Sequence, residues 1–184
     1  MMTKTATEKE REESGLITGL FRDPASAESA YRSLRLRGYS DDEINIMMSE
    51  DTKKKYLVRD PNSATIGTKA AEGAGVGGAV GGTLGAILGA VAGIGTNLVL
   101  PGLGIVVWGP IAAALAGAGA GGLTGGVVGA LAGWGIPEER ARLYEKGLRQ
   151  GGTVIGVRPK TAEDATYFEH EWAGNYQGEH IYKT

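Results

Sequence analysis

The side chains with the clearest capacity for chemistry lie near the C-terminus. His170 and His180 are the only histidines, and Glu169, Glu171 and Glu179 flank them. Imidazole and carboxylate groups together can hold zinc, but His170 and its neighbours fall on a predicted solvated helix face. The chain has no cysteine, which excludes disulfides, thiolate metal sites and cysteine nucleophiles. We find no base beside a serine nucleophile, so the sequence predicts a protein that is not an enzyme and holds no metal.

One motif formally matches a nucleotide-binding pattern. Residues Gly73 to Gly78 read G-A-G-V-G-G. A dinucleotide site needs a strand before this motif and an acidic residue about 20 positions after it, whereas no acidic residue follows until Glu138. The net charge is only −2, and the strands lack the aromatic signature of RNA-binding sheets. We therefore expect no cofactor, no nucleic-acid partner and no small-molecule substrate.

The two ends of the chain resemble each other. After a charged tail at 1–14 that we expect to be disordered and that lacks a signal-peptide pattern, residues 15–50 predict strand, helix and strand. Residues 152–184 repeat this order: Gly152–Val157 resembles Gly15–Leu20, and Ala162–Ala165 resembles Ala27–Ala30. Two such halves predict an α+β, ferredoxin-like βαβ-βαβ domain. The alternative is two unrelated flanking segments.

The middle of the chain is predicted as an insertion between strands 2 and 3 of that domain. It consists of a linker at 51–72, a glycine-zipper helical hairpin at 73–135 and a connecting helix at 136–151. The predicted hairpin helices span about 73–97 and 110–134. No charged residue or histidine occurs from Gly73 to Pro137.

Glycines in this insertion recur every fourth residue. Such spacing places them on one helix face, which lets a facing helix approach until the backbones touch. We predict that these positions mediate helix packing and self-association. The first glycine row is Gly73, Gly77, Gly81, Gly85, Gly89 and Gly93; the second is Gly117, Gly121, Gly125, Gly129 and Gly133, and Gly109 and Ala113 extend it backwards.

The connection between the predicted helices is the most apolar part of the chain. Each helix would be roughly 37 Å long, enough to cross a ~30 Å hydrocarbon core. Trp108 and Trp134 bracket the second helix, as interfacial anchors do. The sequence therefore predicts a tip that lies in lipid or in another subunit, formed by Leu98, Val99, Leu100, Leu103, Ile105, Val106, Val107 and Trp108.

Three forms of self-association remain open. Each glycine in a helix costs about 1 kcal/mol relative to alanine, so close packing or a bilayer must offset the cost. The leading interpretation is a homo-oligomer whose hairpin lies in or on a bilayer, with the α/β domain on the cytoplasmic face. The alternatives are a cytoplasmic oligomer or filament with buried hairpins, and a pore-forming or membrane-remodelling protein.

The chain also resembles a family of bacterial general stress proteins of the heat- or low-temperature-induced type. The resemblance rests on Gly15–Ala30, on Asp42–Met47, on the glycine rows, on the segment Leu100–Gly104 and on Gly135–Gly147 before a strand. It covers nearly the whole chain. It implies stress-linked expression and membrane association, and it carries over no catalytic residues.

Overall fold

A computed structural model describes residues 15–59, 87, 97–100, 103–117, 126–132 and 135–184. The described strands are β1 (Ile17–Phe21), β2 (Ile44–Ser49), β3 (Asn97–Leu100), β4 (Ile105–Trp108), β5 (Thr153–Val157) and β6 (Glu179–Lys183). The described helices are α1 (Pro24–Leu36), α2 (Glu50–Arg59), α3 (Pro110–Gly117), α4 (Gly126–Ala132), α5 (Glu138–Arg149) and α6 (Ala162–Gly174), with a 3-10 turn at Asp41–Glu43. The predicted tail at 1–14 lies outside the described residues.

All six strands form one antiparallel sheet in the order β3-β4-β2-β5-β1-β6. Helices and sheet occur in one chain, so the predicted α+β class is confirmed. The order differs from a simple four-stranded ferredoxin-like sheet, because β3 and β4 extend it beyond β2.

One face of the sheet is covered by α1 and α6. Helix α1 begins at Asp23, whose carboxylate accepts a hydrogen bond from the Ser26 amide at 2.9 Å, and proline occupies its first position. Apolar residues at helical spacing then bury one side of the helix against the sheet. The aromatic part of this core includes Tyr31, Tyr39, Phe168 and Trp172.

The opposite face of the sheet is also covered. Helices α3, α4 and α5 pack on it through residues that include Ile111, Leu115, Val127, Leu131 and Leu148. Strands β1, β4 and β5 are consequently buried along their whole length. The charge-free middle of the chain thus supplies part of a second covering layer.

The prediction that the apolar segment connects two helices is wrong. Leu98, Val99 and Leu100 lie in β3, which pairs with Ile105, Val106, Val107 and Trp108 of β4, and Leu103 lies in the turn between them. Branched and aromatic side chains favour a strand here, and Gly104 adopts the positive φ of 59° that the turn requires. All four side chains of β4 are buried, so this half of the segment is core.

The predicted helix boundaries also need correction. Asn97 is in a strand rather than at a helix end, and a continuous helix over 110–134 is interrupted, because Gly126 has a φ of +59° where α4 begins. The predicted linker also starts with a helix: α2 occupies residues 50–59, where the Ser49 hydroxyl accepts the Thr52 amide at 3.0 Å.

Candidate self-association surface

The structure describes three glycines of the predicted association set. Gly109, Gly117 and Gly129 lie at the start of α3, at its end and within α4. The remaining predicted positions lie outside the described residues: Gly73, Gly77, Gly81, Gly85, Gly89, Gly93, Gly121, Gly125, Gly133 and Trp134. The G-x-G-x-x-G match at 73–78 lies outside them as well.

Gly109 packs inside its own chain. Its φ is +91°, and a Cβ atom there would stand 2.2 Å from the carbonyl oxygen of Ile44. Only a residue without a side chain fits so close to the backbone of β2. Gly109 therefore joins β4 to α3 and is not available to a second copy.

Asn45, near the start of β2, holds the same junction between β4 and α3. Its side chain is buried; the amide nitrogen donates to the Gly156 carbonyl at 3.2 Å, and the amide oxygen accepts the Ile111 backbone N–H at 2.8 Å. That N–H belongs to the first turn of α3, where a helix leaves its amides unpaired. Asn45 is not among the residues predicted to be functional from the sequence. The available signal is a polar residue within the apolar run Ile44–Met48.

Gly129 is exposed and faces away from the core. Val127 and Leu131 of the same helix are fully buried, whereas Gly129 and Ala132 are exposed. No described atom lies within 4 Å of the position that a Cβ would take at Gly129. The second glycine row, where the structure describes it within α4, therefore presents bare backbone at the molecular surface.

Helix α5 fixes α4 to the sheet. The buried Tyr144 hydroxyl lies 2.8 Å from the Thr18 hydroxyl and donates to the His180 carbonyl at 2.6 Å. Burial raises the pKa of Tyr144 to about 12. Gly147 lies so close to Leu20 that a Cβ would stand 2.3 Å from that side chain. Since α4 packs on α5, α5 holds α4 in place and thereby positions its outward face.

A charged cluster joins the two βαβ halves on the other side of the molecule. The Asp164 carboxylate accepts hydrogen bonds from the Arg37 guanidinium and, at 2.6 Å, from the Tyr39 hydroxyl. Burial raises the pKa of Tyr39, and its hydrogen bond to Asp164 raises it further. The Lys160 ammonium lies 2.9 Å from the Glu43 carboxylate. Each of these groups is engaged, which suits a structural tie between the halves.

The two histidines do not come together in a metal site. His170 is exposed on α6, and His180 lies in β6 with a φ of +54°. Within the part of the chain that the structure describes, no group of three histidine, cysteine or acidic side chains could hold a metal ion.

Comparisons with known proteins give no match to a family model, to a curated protein or to a solved structure. Of the helices within the described ranges, none combines the length and apolar character needed to cross a membrane.

Proposed function

We propose that this protein is a non-enzymatic structural protein that self-associates through the glycine-lined faces of its central helices. The observation that carries the proposal is Gly129, an exposed glycine in α4 whose neighbours Val127 and Leu131 anchor the helix to the core. The resemblance to bacterial general stress proteins supports stress-linked expression as part of this proposal.

A glycine within a helix lowers the stability of that helix. Gly129 makes α4 less stable by about 1 kcal/mol than alanine at the same position. No described side chain packs against Gly129 in return. Close approach of a second helix supplies the missing contacts, because backbone meets backbone without an intervening side chain. The partner that fits this face best is another glycine-lined helix of a second copy.

Contact with lipid has less support than the sequence alone gives it. It relies on the apolar tip, and the β4 half of that segment is buried in the sheet. The first glycine row and Trp134, the other residues that favour a bilayer, lie outside the described residues. We therefore favour an assembly of copies in the cytoplasm and treat binding to a bilayer as an outcome of the test.

The finer fold assignment is also part of the proposal. The strands of the two flanks are neighbours in the order β2-β5-β1-β6, all antiparallel. This order supports a ferredoxin-like core to which the hairpin of β3 and β4 has been added.

Replacement of Gly129 by leucine tests the proposed function. Leucine favours a helix over glycine by nearly 1 kcal/mol, Gly129 is exposed, and no described atom lies within 4 Å of a Cβ added there. Gly129→Leu should therefore fold and yet block close helix approach. We expect wild-type protein to form oligomers in light scattering and Gly129→Leu to form smaller particles. Gly174→Leu is the matched control, because Gly174 is also exposed and helical, and no described atom lies within 4 Å of a Cβ added there.

Flotation with liposomes, run beside the scattering measurement, separates the two environments. Large particles that stay below the lipid layer support assembly in solution, whereas co-flotation would assign the glycine face to the bilayer. A monomeric wild type that ignores liposomes, or a Gly129→Leu variant with unchanged particle size, would contradict the proposed function.

A further inference from the structure

The two edges of the sheet differ in how they are protected. Strand β6 carries Glu179 and Lys183, its register with β1 shifts between Thr18 and Leu20, and His180 takes a positive φ. Charges and irregular backbone are the features by which native edge strands avoid pairing with other chains. The β6 edge is therefore protected.

The β3 edge has none of these features among its four residues. Asn97–Leu100 is uncharged, pairs with β4 in an unbroken register and contains no positive φ. Val99 is 46% exposed, which makes it one of the few large apolar side chains at the surface of the described chain. Within the described ranges, β3 pairs on one side only. An open, regular and apolar edge is a template for strand pairing.

We propose that β3 is a second self-association surface, at which it pairs antiparallel with β3 of another copy across a twofold axis. A second copy is the occupant that fits, because an uncharged strand is compatible with itself, whereas the charged and bulged β6 is a poor partner. The contact is closed and gives a dimer. It goes beyond the proposed function, since it needs no contribution from the glycine rows.

Symmetry and the overlap of two short strands together limit the register of such a pair to two choices. A twofold axis that makes two edge strands antiparallel is perpendicular to the sheet, so it keeps each side chain on its own face. Opposite residues must then share the same face, which requires one residue to lie opposite its own copy. In a strand of four residues, three residues of each copy can pair only when the residue on the axis is Leu98 or Val99.

A pair of four-residue strands buries too little area for a stable dimer. The helix that packs on β3 must therefore add to the buried area. Helix α3 packs on β3, and its Ala113 is exposed. Because rotation about this axis leaves each face of the sheet on its own side, the α3 helices of the two copies lie on the same side of the joined sheet. The small Ala113 side chain and the absence of charge on α3 suit close approach of the two helices.

A cysteine scan tests this geometry directly, since the chain contains no cysteine. We expect either Leu98→Cys or Val99→Cys to form an intermolecular disulfide under mild oxidation, because residues opposite each other in an antiparallel pair have Cα atoms about 4.5–5.5 Å apart. The control is Leu36→Cys, at a site 88% exposed. The favoured variant should cross-link at least about tenfold faster than the control, because pairing raises the effective thiol concentration. Equal rates for all three variants would overturn the proposal.

A charged substitution at Val99 provides a second test of the contact between the β3 strands. In a Gly129→Leu background, which removes the proposed association through the glycine face, Val99→Lys places two like charges near each other in the pair. It should weaken the remaining dimer about tenfold or more in analytical ultracentrifugation. Val99→Thr, which remains a good strand former, should dimerise like the wild type. Gly129→Leu should retain the disulfide of the favoured cysteine variant, so failure of the glycine face leaves this test intact. If Val99→Lys in the Gly129→Leu background dimerises as strongly as Gly129→Leu alone, the edge contact is refuted.

Discussion

Substitution by alanine should lower the free energy of unfolding at Gly109 and raise it at Gly129, although both glycines belong to the same predicted association set. At Gly109, a positive φ of 91° disfavours any L side chain, and the added methyl would stand 2.2 Å from the Ile44 carbonyl oxygen. At Gly129, the backbone is helical and no described atom lies within 4 Å of the added methyl. The structure therefore separates an internal packing position from an outward-facing one.

The magnitudes follow from these two environments. Left-handed backbone costs an alanine about 1–2 kcal/mol, and overpacking against a rigid carbonyl costs a further ~1–3 kcal/mol. Gly109→Ala should thus lower the free energy of unfolding by about 2–5 kcal/mol. Gly129→Ala should raise it by about 1 kcal/mol, the difference in helix propensity.

Urea denaturation followed by circular dichroism measures both changes, at a protein concentration low enough to favour monomers. Gly104→Ala is the control, because Gly104 has a φ of +59° but no described atom lies within 4 Å of an added methyl. This variant should lose only the stability that the strained backbone costs, about 1–2 kcal/mol. If Gly109→Ala were no less stable than Gly104→Ala, the close contact between Gly109 and β2 would be refuted. A loss of stability in Gly129→Ala would refute the outward orientation of that glycine.

Two further predictions concern polar groups in the core. Asn45→Ala removes the side-chain acceptor of the Ile111 amide and one donor to the Gly156 carbonyl, so we expect a loss of about 2–3 kcal/mol and faster hydrogen exchange at the start of α3; unchanged exchange there would contradict the role of Asn45. The raised pKa of Tyr144, about 12, lies above the value near 10 of an unfolded tyrosine. The protonated Tyr144 hydroxyl therefore makes its full contribution to the free energy of unfolding below pH ~10. That contribution, about 3 kcal/mol in total, is lost between pH ~10 and ~12. Because Tyr31 and Tyr39 also have raised pKa values, the measurement is the difference in alkaline unfolding between wild type and Tyr144→Phe, and identical pH profiles would count against the prediction.

The flanks of the chain were predictable because their signals are local. Asp23-Pro24 followed by Ala27, Ala30, Tyr31 and Leu34 specifies a helix start and a buried face within a few residues, and the structure has α1 there. The α+β class follows from such elements. The final strand order does not, because it depends on which distant strands meet.

The centre was harder to predict because glycine spacing and apolar content dominate its sequence. The run Leu98–Leu100 followed by Pro-Gly-Leu-Gly and Ile105–Trp108 contains a hairpin signal, namely two β-rich segments around a turn. A helix-period interpretation of the surrounding glycines conceals that signal. The same spacing also groups Gly109 with Gly129, whereas tertiary contacts decide that one packs inwards and the other faces outwards.

The position of β5 between β2 and β1 has a consequence for biosynthesis. Neither N-terminal strand pairs with the other; each hydrogen-bonds to residues 153–157. During translation β2 can pair with β4 once the hairpin has been made, but β1 must wait for a strand more than a hundred residues downstream, and the long loop delays that encounter. The growing chain consequently exposes Ile17–Phe21 for most of its synthesis, a period in which a chaperone that shields this segment would favour correct folding.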